Sequence, residues 1–421
     1  MAATITTADK ILKYIYTSRA LQNAVYDKNP LFALLPKQGG FNGRSLVHAI
    51  TYGNSLARSA AFATAQGRAG INGASGTDSG FNRDVNFTVT RVKNYAMYTI
   101  EQELLLAASG DRASFVKGLT QLVDGTLQTL RNDFGRDVYG SGLGELGAVT
   151  SVSGSGPYTI TVGEAITQIE VGMEIVCSTG STKTAALRNS GGGVAVVSVN
   201  RSAGTFTTTT NPDSIAAGDW LFIKGDRPAG STTAIGSMLK SAGMEAWNPV
   251  TAPSASESYF GVDRSVDATR LSGHRLDISA LQPEEGYITA LAALAREDGD
   301  PSHIFTSFTD EKNLKLALGS RVDAEYTQVG DIGFESIRLR GPNGTVKVYA
   351  DRNAPVGYAR VLTLNTWELK HLGDLVNKGD AAGDGGMARE YQADRFEGRM
   401  SFYGNMLCHK PSANMVATLP T

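Results

Sequence analysis

The apolar residues Phe115, Leu119, Leu122, Val123, Leu127, Leu130, Phe134 and Val138 recur every three or four positions, and no other feature restricts the fold as much. The spacing predicts one helix over 111–138, about 40 Å long at the α-helical rise per residue. Asp111 stands at its start, where a negative charge complements the helix dipole. Gly118, Gly125 and Gly135 each weaken it by roughly 1 kcal/mol relative to alanine. Such a helix persists only if its stripe packs on a sheet or on closely approaching backbone.

The segments before it cannot supply that packing alone. Residues 1–43 read as an N-terminal arm, with Ile11, Leu12, Ile15 and Tyr16 at helical spacing over 8–20. Asn29-Pro30, Pro36 and Gly39-Gly40 then break the pattern. Residues 44–93 read as an extended hairpin loop. Ser45 to Tyr52 has strand composition, and Val85, Phe87 and Val89 alternate with Asn86, Thr88 and Thr90 as in a half-buried strand. Between them, Gly53 to Gly80 is mostly Gly, Ala, Ser, Thr and Asn. An isolated hairpin is marginal in water, so this one must rest on another surface. Its charges lean positive: Arg44, Arg58, Arg68, Arg83, Arg91 and Lys93 against Asp78 and Asp84. The five arginines are candidate contacts to that surface; the bland alternative is a solvated loop.

After the helix, 143–228 alternates short β-rich runs with Gly, Ser and Asn turns, which predicts an inserted all-β domain. It contains an echo: Ile169 to Val176 resembles Ile215 to Phe222, each a turn followed by a short apolar strand. Expressed alone, 147–226 is expected to give a soluble β-rich fragment. Residues 94–142 and 355–421 are expected to form a second body around the long helix, and 229–354 an α+β domain. In the latter, Tyr287, Ile288, Leu291, Leu294 and Ala295 form a helix stripe after Pro283-Glu284-Glu285. Ile304 to Phe308 reads as a strand, Asp310 as the cap of a helix carrying Leu314, Leu316 and Leu318 that stops at Gly319, and Asn343-Gly344 as a primed hairpin turn between strands.

Composition narrows the function. The formal net charge of -2 excludes a polycation of the histone kind. The 48 glycines in 421 residues exceed the usual share of roughly 7%, as turns and extended segments require. Cys177 and Cys408 cannot make a disulfide framework and suit a reducing compartment. The N-terminal residues lack a basic stretch followed by an apolar one, and no window approaches the roughly 18 apolar residues of a membrane span. The expectation is a chain made and kept in a cytoplasm, away from membranes.

Catalytic patterns are scarce, and no enzyme activity, cofactor or metal is expected. His48, His274, His303, His371 and His409 form no His-x-x-x-His, and neither cysteine is close to one in sequence. Gly142-Leu143-Gly144-Glu145-Leu146-Gly147 matches G-x-G-x-x-G, but a helix precedes it and a strand follows, the reverse of a dinucleotide site, so it reads as a hinge. Glu101 and Glu103 read as a solvated edge rather than an acid pair. Trp220, Trp247 and Trp367 read as core or interface anchors.

The order of parts, with Glu101 to Asp111 leading into the helix, Trp247-Asn248-Pro249 followed by Phe260 to Asp267, and Ile304 to Phe308 ahead of a helix, resembles the major capsid proteins of tailed bacteriophages. Their shell fold is named after phage Hong Kong ninety-seven. The resemblance covers most of the chain and implies an α+β capsid-type fold, in which 229–354 would be the axial domain meeting its copies around hexamer and pentamer axes. It implies self-assembly into an icosahedral shell around double-stranded DNA, with portal, scaffold and decoration proteins as further partners and weak, non-specific DNA contact at most. On this reading the slender arm and loop are left underfilled by their own chain because identical copies complete them. Some family members cross-link through a lysine in the extended loop; none occurs here between Lys37 and Lys93, which implies a non-covalent shell. A tail, fibre or decoration component is the alternative, and an enzyme with a carbohydrate-directed β domain a remoter one.

Overall fold

The computed structural model describes residues 28–420 except 56, 69–81, 104–111, 181–182, 212–213, 228–237, 256, 298, 330–331 and 379–387. The arm helix expected over 8–20 lies outside the described residues, as does Asp111. The architecture is α+β.

The long helix is Arg112–Tyr139. Val123, Leu127, Leu130 and Phe134 turn inward and are buried, while Leu122, one residue from Val123 and so about 100° away, is 39% exposed. The stripe packs on a sheet in which Val92–Glu101 pairs antiparallel with Arg395–Cys408 over ten residues. Trp367–His371 joins the same long strand, with Lys37–Gly39 parallel beyond it. Phe134 meets Phe402 edge-on at 4.9 Å and stacks on Phe32 at 5.1 Å. Gly135 is required by close approach: a Cβ there would lie 2.3 Å from Asn353 Nδ2 and 2.5 Å from Asn29 Oδ1. Gly125 faces open space.

A second sheet runs in the order His274–Asp277, Met415–Thr418, Tyr358–Leu362, His303–Thr306, Gly344–Ala350, Ile332–Gly341, Ala324–Val329. Helices Pro283–Arg296 and Phe308–Leu318 join its core through Leu291, Leu294, Leu314 and Leu318. Here the structure departs from several expectations. Residues 355–421 do not return whole to the body around the long helix, since they give two strands to this sheet. Ile288 is 43% and Leu316 74% exposed. Leu314 and Leu318, four apart, share a face from which Leu316 must point away. The helix cap is Ser307, whose hydroxyl accepts from the Asp310 amide and donates to the Asp310 carboxylate. Asp310 is thus the third helical residue. Gly341 pairs with Gly344, so the turn is Pro342-Asn343 rather than Asn343-Gly344; proline at its first position cannot take the positive φ of a primed turn.

Between helix and second sheet, the chain forms a seven-stranded sheet of its own from Glu145–Ala148 to Trp220–Ile223. It has a separate core that includes Ile160, Ile166, Ile175, Phe206 and Leu221. The echoed segments meet: Leu221, Phe222 and Ile223 pair with Cys177, Val176 and Ile175. Each follows a glycine at the matching place, Gly172 (φ 87°) and Gly218 (φ 92°), because that turn needs the left-handed region.

The entry to this β unit is the G-x-G-x-x-G run, where Gly142 and Gly144 take positive φ. Its ends are tied by a buried ionic cluster. Arg136 lies 3.2 Å from Asp133 and 3.5 Å from Asp137, while Lys240 lies 3.2 Å from Asp226 and 3.7 Å from Asp133. Burial pushes the Asp137 carboxyl up to about 6, against the pull of Lys240 and Arg136. Two polar contacts also join unit and body, Gln168 to Asn353 at 2.7 Å and Thr309 to Glu164 at 2.9 Å.

Candidate functional site

The extended hairpin is the strand pair Ser45–Gly53 and Arg83–Thr90, in register from Ser45 opposite Thr90 to Thr51 opposite Asp84. Alternation divides it into two faces. On the inner face, Ile50, Phe87 and Val89 are buried. Phe87 meets Trp247 at 5.4 Å and Tyr259 at 6.1 Å, and the Thr88 amide donates to the Phe260 carbonyl at 3.0 Å.

The seat is built by buried arginines. Arg264 donates to the carbonyls of Ala246 and Trp247 and pairs with Glu257 at 2.8 Å. Its guanidinium also lies 3.9 Å from the centre of the Tyr259 ring. Arg360 binds the Asn248 carbonyl and Glu245. Burial pulls the Arg264 pKa down, offset by neighbours that include Glu257. These clamps fix the short helix Met244–Trp247 and present Trp247 to the hairpin. The base is therefore filled by the hairpin's own chain. This corrects the expectation that strand 81–90 would be left underfilled.

The outer face and the tip differ. Val47 is 64% exposed, and a short helix absent from the sequence reading, Phe62–Arg68, buries none of its residues; Phe62 is 77% exposed. The five arginines separate. Arg44 is exposed at the base. Arg91 donates to the Phe41 carbonyl at 3.0 Å and so serves its own fold. Arg68 donates to the Arg58 carbonyl at 2.6 Å, closing the tip on itself. Only Arg58 and Arg83 come together, in an open cleft with Tyr52, Asp267 and Arg270. Sequence reading missed Arg270, which is far away in the chain; it reaches the Tyr52 carbonyl at 2.7 Å and lies 3.8 Å from Asp267. Three arginines and one aspartate line the cleft, with Arg270 held by the Tyr52 carbonyl and Asp267, and the surplus of positive charge suits an anionic partner.

Elsewhere, Trp247 and Trp367 are buried. Trp220 is partly buried beneath Lys183, whose Nζ lies 4.6 Å from the ring centre. Glu101 and Glu103 are exposed. Among the described residues no group of three or more His, Cys, Asp or Glu side chains is placed to hold a metal ion. Among them, too, no helix is long and apolar enough to cross a membrane.

No family model and no curated protein matches the sequence. Solved structures similar to this chain include phage and particle capsids. One is the capsid asymmetric unit of cyanophage A-1(L), with 9% identity, a TM-score of 0.46, and coverage of 94% of this chain and 93% of that one. Another is the capsid of the empty GTA particle, with 8% identity, a TM-score of 0.41, and coverage of 94% and 91%. A third is the satellite phage P4 procapsid including size determination (Sid) protein, with 8% identity, a TM-score of 0.36, and coverage of 96% and 100%.

Proposed function

We propose that this chain is a major capsid subunit, which assembles with its own copies in hexamers and pentamers into the icosahedral shell of a tailed phage around double-stranded DNA. The observation that carries the reading is the divided hairpin. Its strand pair is locked to the body by Ile50, Phe87 and Val89 and, at the far end, by Arg270 on the Tyr52 carbonyl, while beyond the strands Phe62 stays exposed and an arginine-lined cleft opens where the strand end meets residues 266–270. A seated strand pair with an exposed helix beyond it is what a subunit needs to reach a neighbour in a fixed direction. Closed shells repeat one such complementary contact at an angle that closes. The helix Arg112–Tyr139 packs on Val92–Glu101, the strand that follows the hairpin in the chain, and the order of elements agrees with the resemblance drawn from sequence.

On this reading the chemistry is non-covalent association, the shell forms in the host bacterial cytoplasm, and portal, scaffold and decoration proteins are its further partners. Arg58 and Arg83 are the proposed contact residues of the hairpin, with Arg270 beside them. Electron microscopy of the purified full chain tests it. Closed icosahedral particles, or rings of five and six, are expected. Tubes or trimers would favour a tail or fibre component, and a persistent monomer in every salt and scaffold condition would overturn the proposal.

A further inference from the structure

The junction between hairpin and body holds two histidines from separate elements. His48 lies on the hairpin strand Ser45–Gly53, its Nε2 3.3 Å from the Cys408 carbonyl oxygen. His409 follows the body strand Arg395–Cys408. The two rings meet edge-on with centroids 4.8 Å apart. His409 Nε2 lies 2.8 Å from Glu368 Oε2, and the other oxygen of Glu368 lies 3.7 Å from Lys370 Nζ. Trp247, the centre of the seat, faces His48 edge-on at 6.4 Å. The charged and titratable groups around His48 are therefore His409, Glu368 and Lys370.

We propose that the His48–His409 pair is an acid-sensitive latch for the hairpin. With both rings neutral, Lys370 and Glu368 balance and the strand rests on its seat. With both rings protonated, three cations share one carboxylate, and the new repulsion acts between the hairpin and the surface holding it. Burial, then the charge of His409, lowers the His48 pKa, against the Cys408 carbonyl and Glu368. A histidine with a lowered folded pKa takes up its proton more readily when released. Docking is thus at full strength above the ordinary imidazole range near pH 6.5 and weakens as pH falls through it. The latch belongs to the single chain and stands whether or not the chain builds a shell.

Hydrogen exchange on the full chain tests it, at pH 7.5 and pH 5.5 with rates corrected for intrinsic exchange. Protection of 45–53 and 83–90 is expected to fall by up to about tenfold at the lower pH, the most that one histidine with an ordinary released pKa near 6.5 contributes over this range. Protection of the β unit, 145–223, is expected to hold. His48→Gln keeps a neutral donor toward Cys408 and should abolish most of the fall; His409→Gln should do so independently from the body side. Equal hairpin protection at both pH values, or an undiminished fall in both variants, would overturn the latch.

Discussion

The hairpin and the inserted β unit both leave the main body as strands, yet they solve burial in opposite ways. The β unit closes seven strands around Ile160, Ile175, Phe206 and Leu221 and depends on the body mainly through its ionic hinge and two polar contacts. The hairpin has two strands and no core of its own. Phe87 and Val89 belong to the main core, alongside Trp247 and Tyr259. A two-stranded ribbon has one face to bury and must borrow a surface, whereas a larger sheet can fold over itself. The hairpin borrows along its two strands as far as the Arg270 contact with Tyr52, and the helix Phe62–Arg68 beyond them is left exposed.

The comparison can be broken at its strongest point first. Phe87→Ala should cost about 3–5 kcal/mol, the usual range for a buried phenylalanine. Because Phe87 sits in the main core, the loss should appear in the denaturant transition of the body. Ile160→Ala should cost roughly 2–5 kcal/mol. That loss should be confined to 145–223, read as faster exchange there with hairpin protection unchanged. If Ile160→Ala loosens the hairpin equally, the two regions are not independent.

A smaller effect calibrates the body that both regions join. Asp351 is buried, accepts from the Asn353 amide at 2.9 Å, and has its carboxyl pushed up to about 6 by burial. The folded chain therefore holds this proton over a range, about pH 4 to 6, in which an unfolded aspartate has lost it. Stability from this group grows as pH falls through 6 and is absent above it. Between pH 7 and pH 5 it should amount to about 1 kcal/mol. Asp351→Asn should remove that slope, measured by denaturant titration of both proteins at each pH. An unchanged slope would show that the proton resides elsewhere.

Much of this is legible in the sequence alone. Period-two alternation in Val85, Phe87 and Val89, period-3.6 recurrence from Val123 to Val138, and the echo of 169–176 in 215–222 are local signals, and each became the expected element. Separation in sequence hid the rest. Nothing near Phe87 announces a seat 160 residues later, nothing near Arg58 announces Arg270, and His48 and His409 read as isolated histidines. The cap is a local signal too, since Ser307 stands three residues before Asp310. The division of 355–421 between two sheets is not, because alternation gives the faces of a strand and not its neighbours.

Labelling of a thiol at the hairpin tip tests the central claim, completion by a second copy, most directly. Cys177 and Cys408 are both buried, so Phe62→Cys adds an accessible thiol on a chain whose own thiols are shielded. Its rate of alkylation should fall at least about tenfold between dissociated subunits and assembled particles, as expected when a side chain leaves water for an interface. Equal rates in the two states would mean that no neighbour covers the tip.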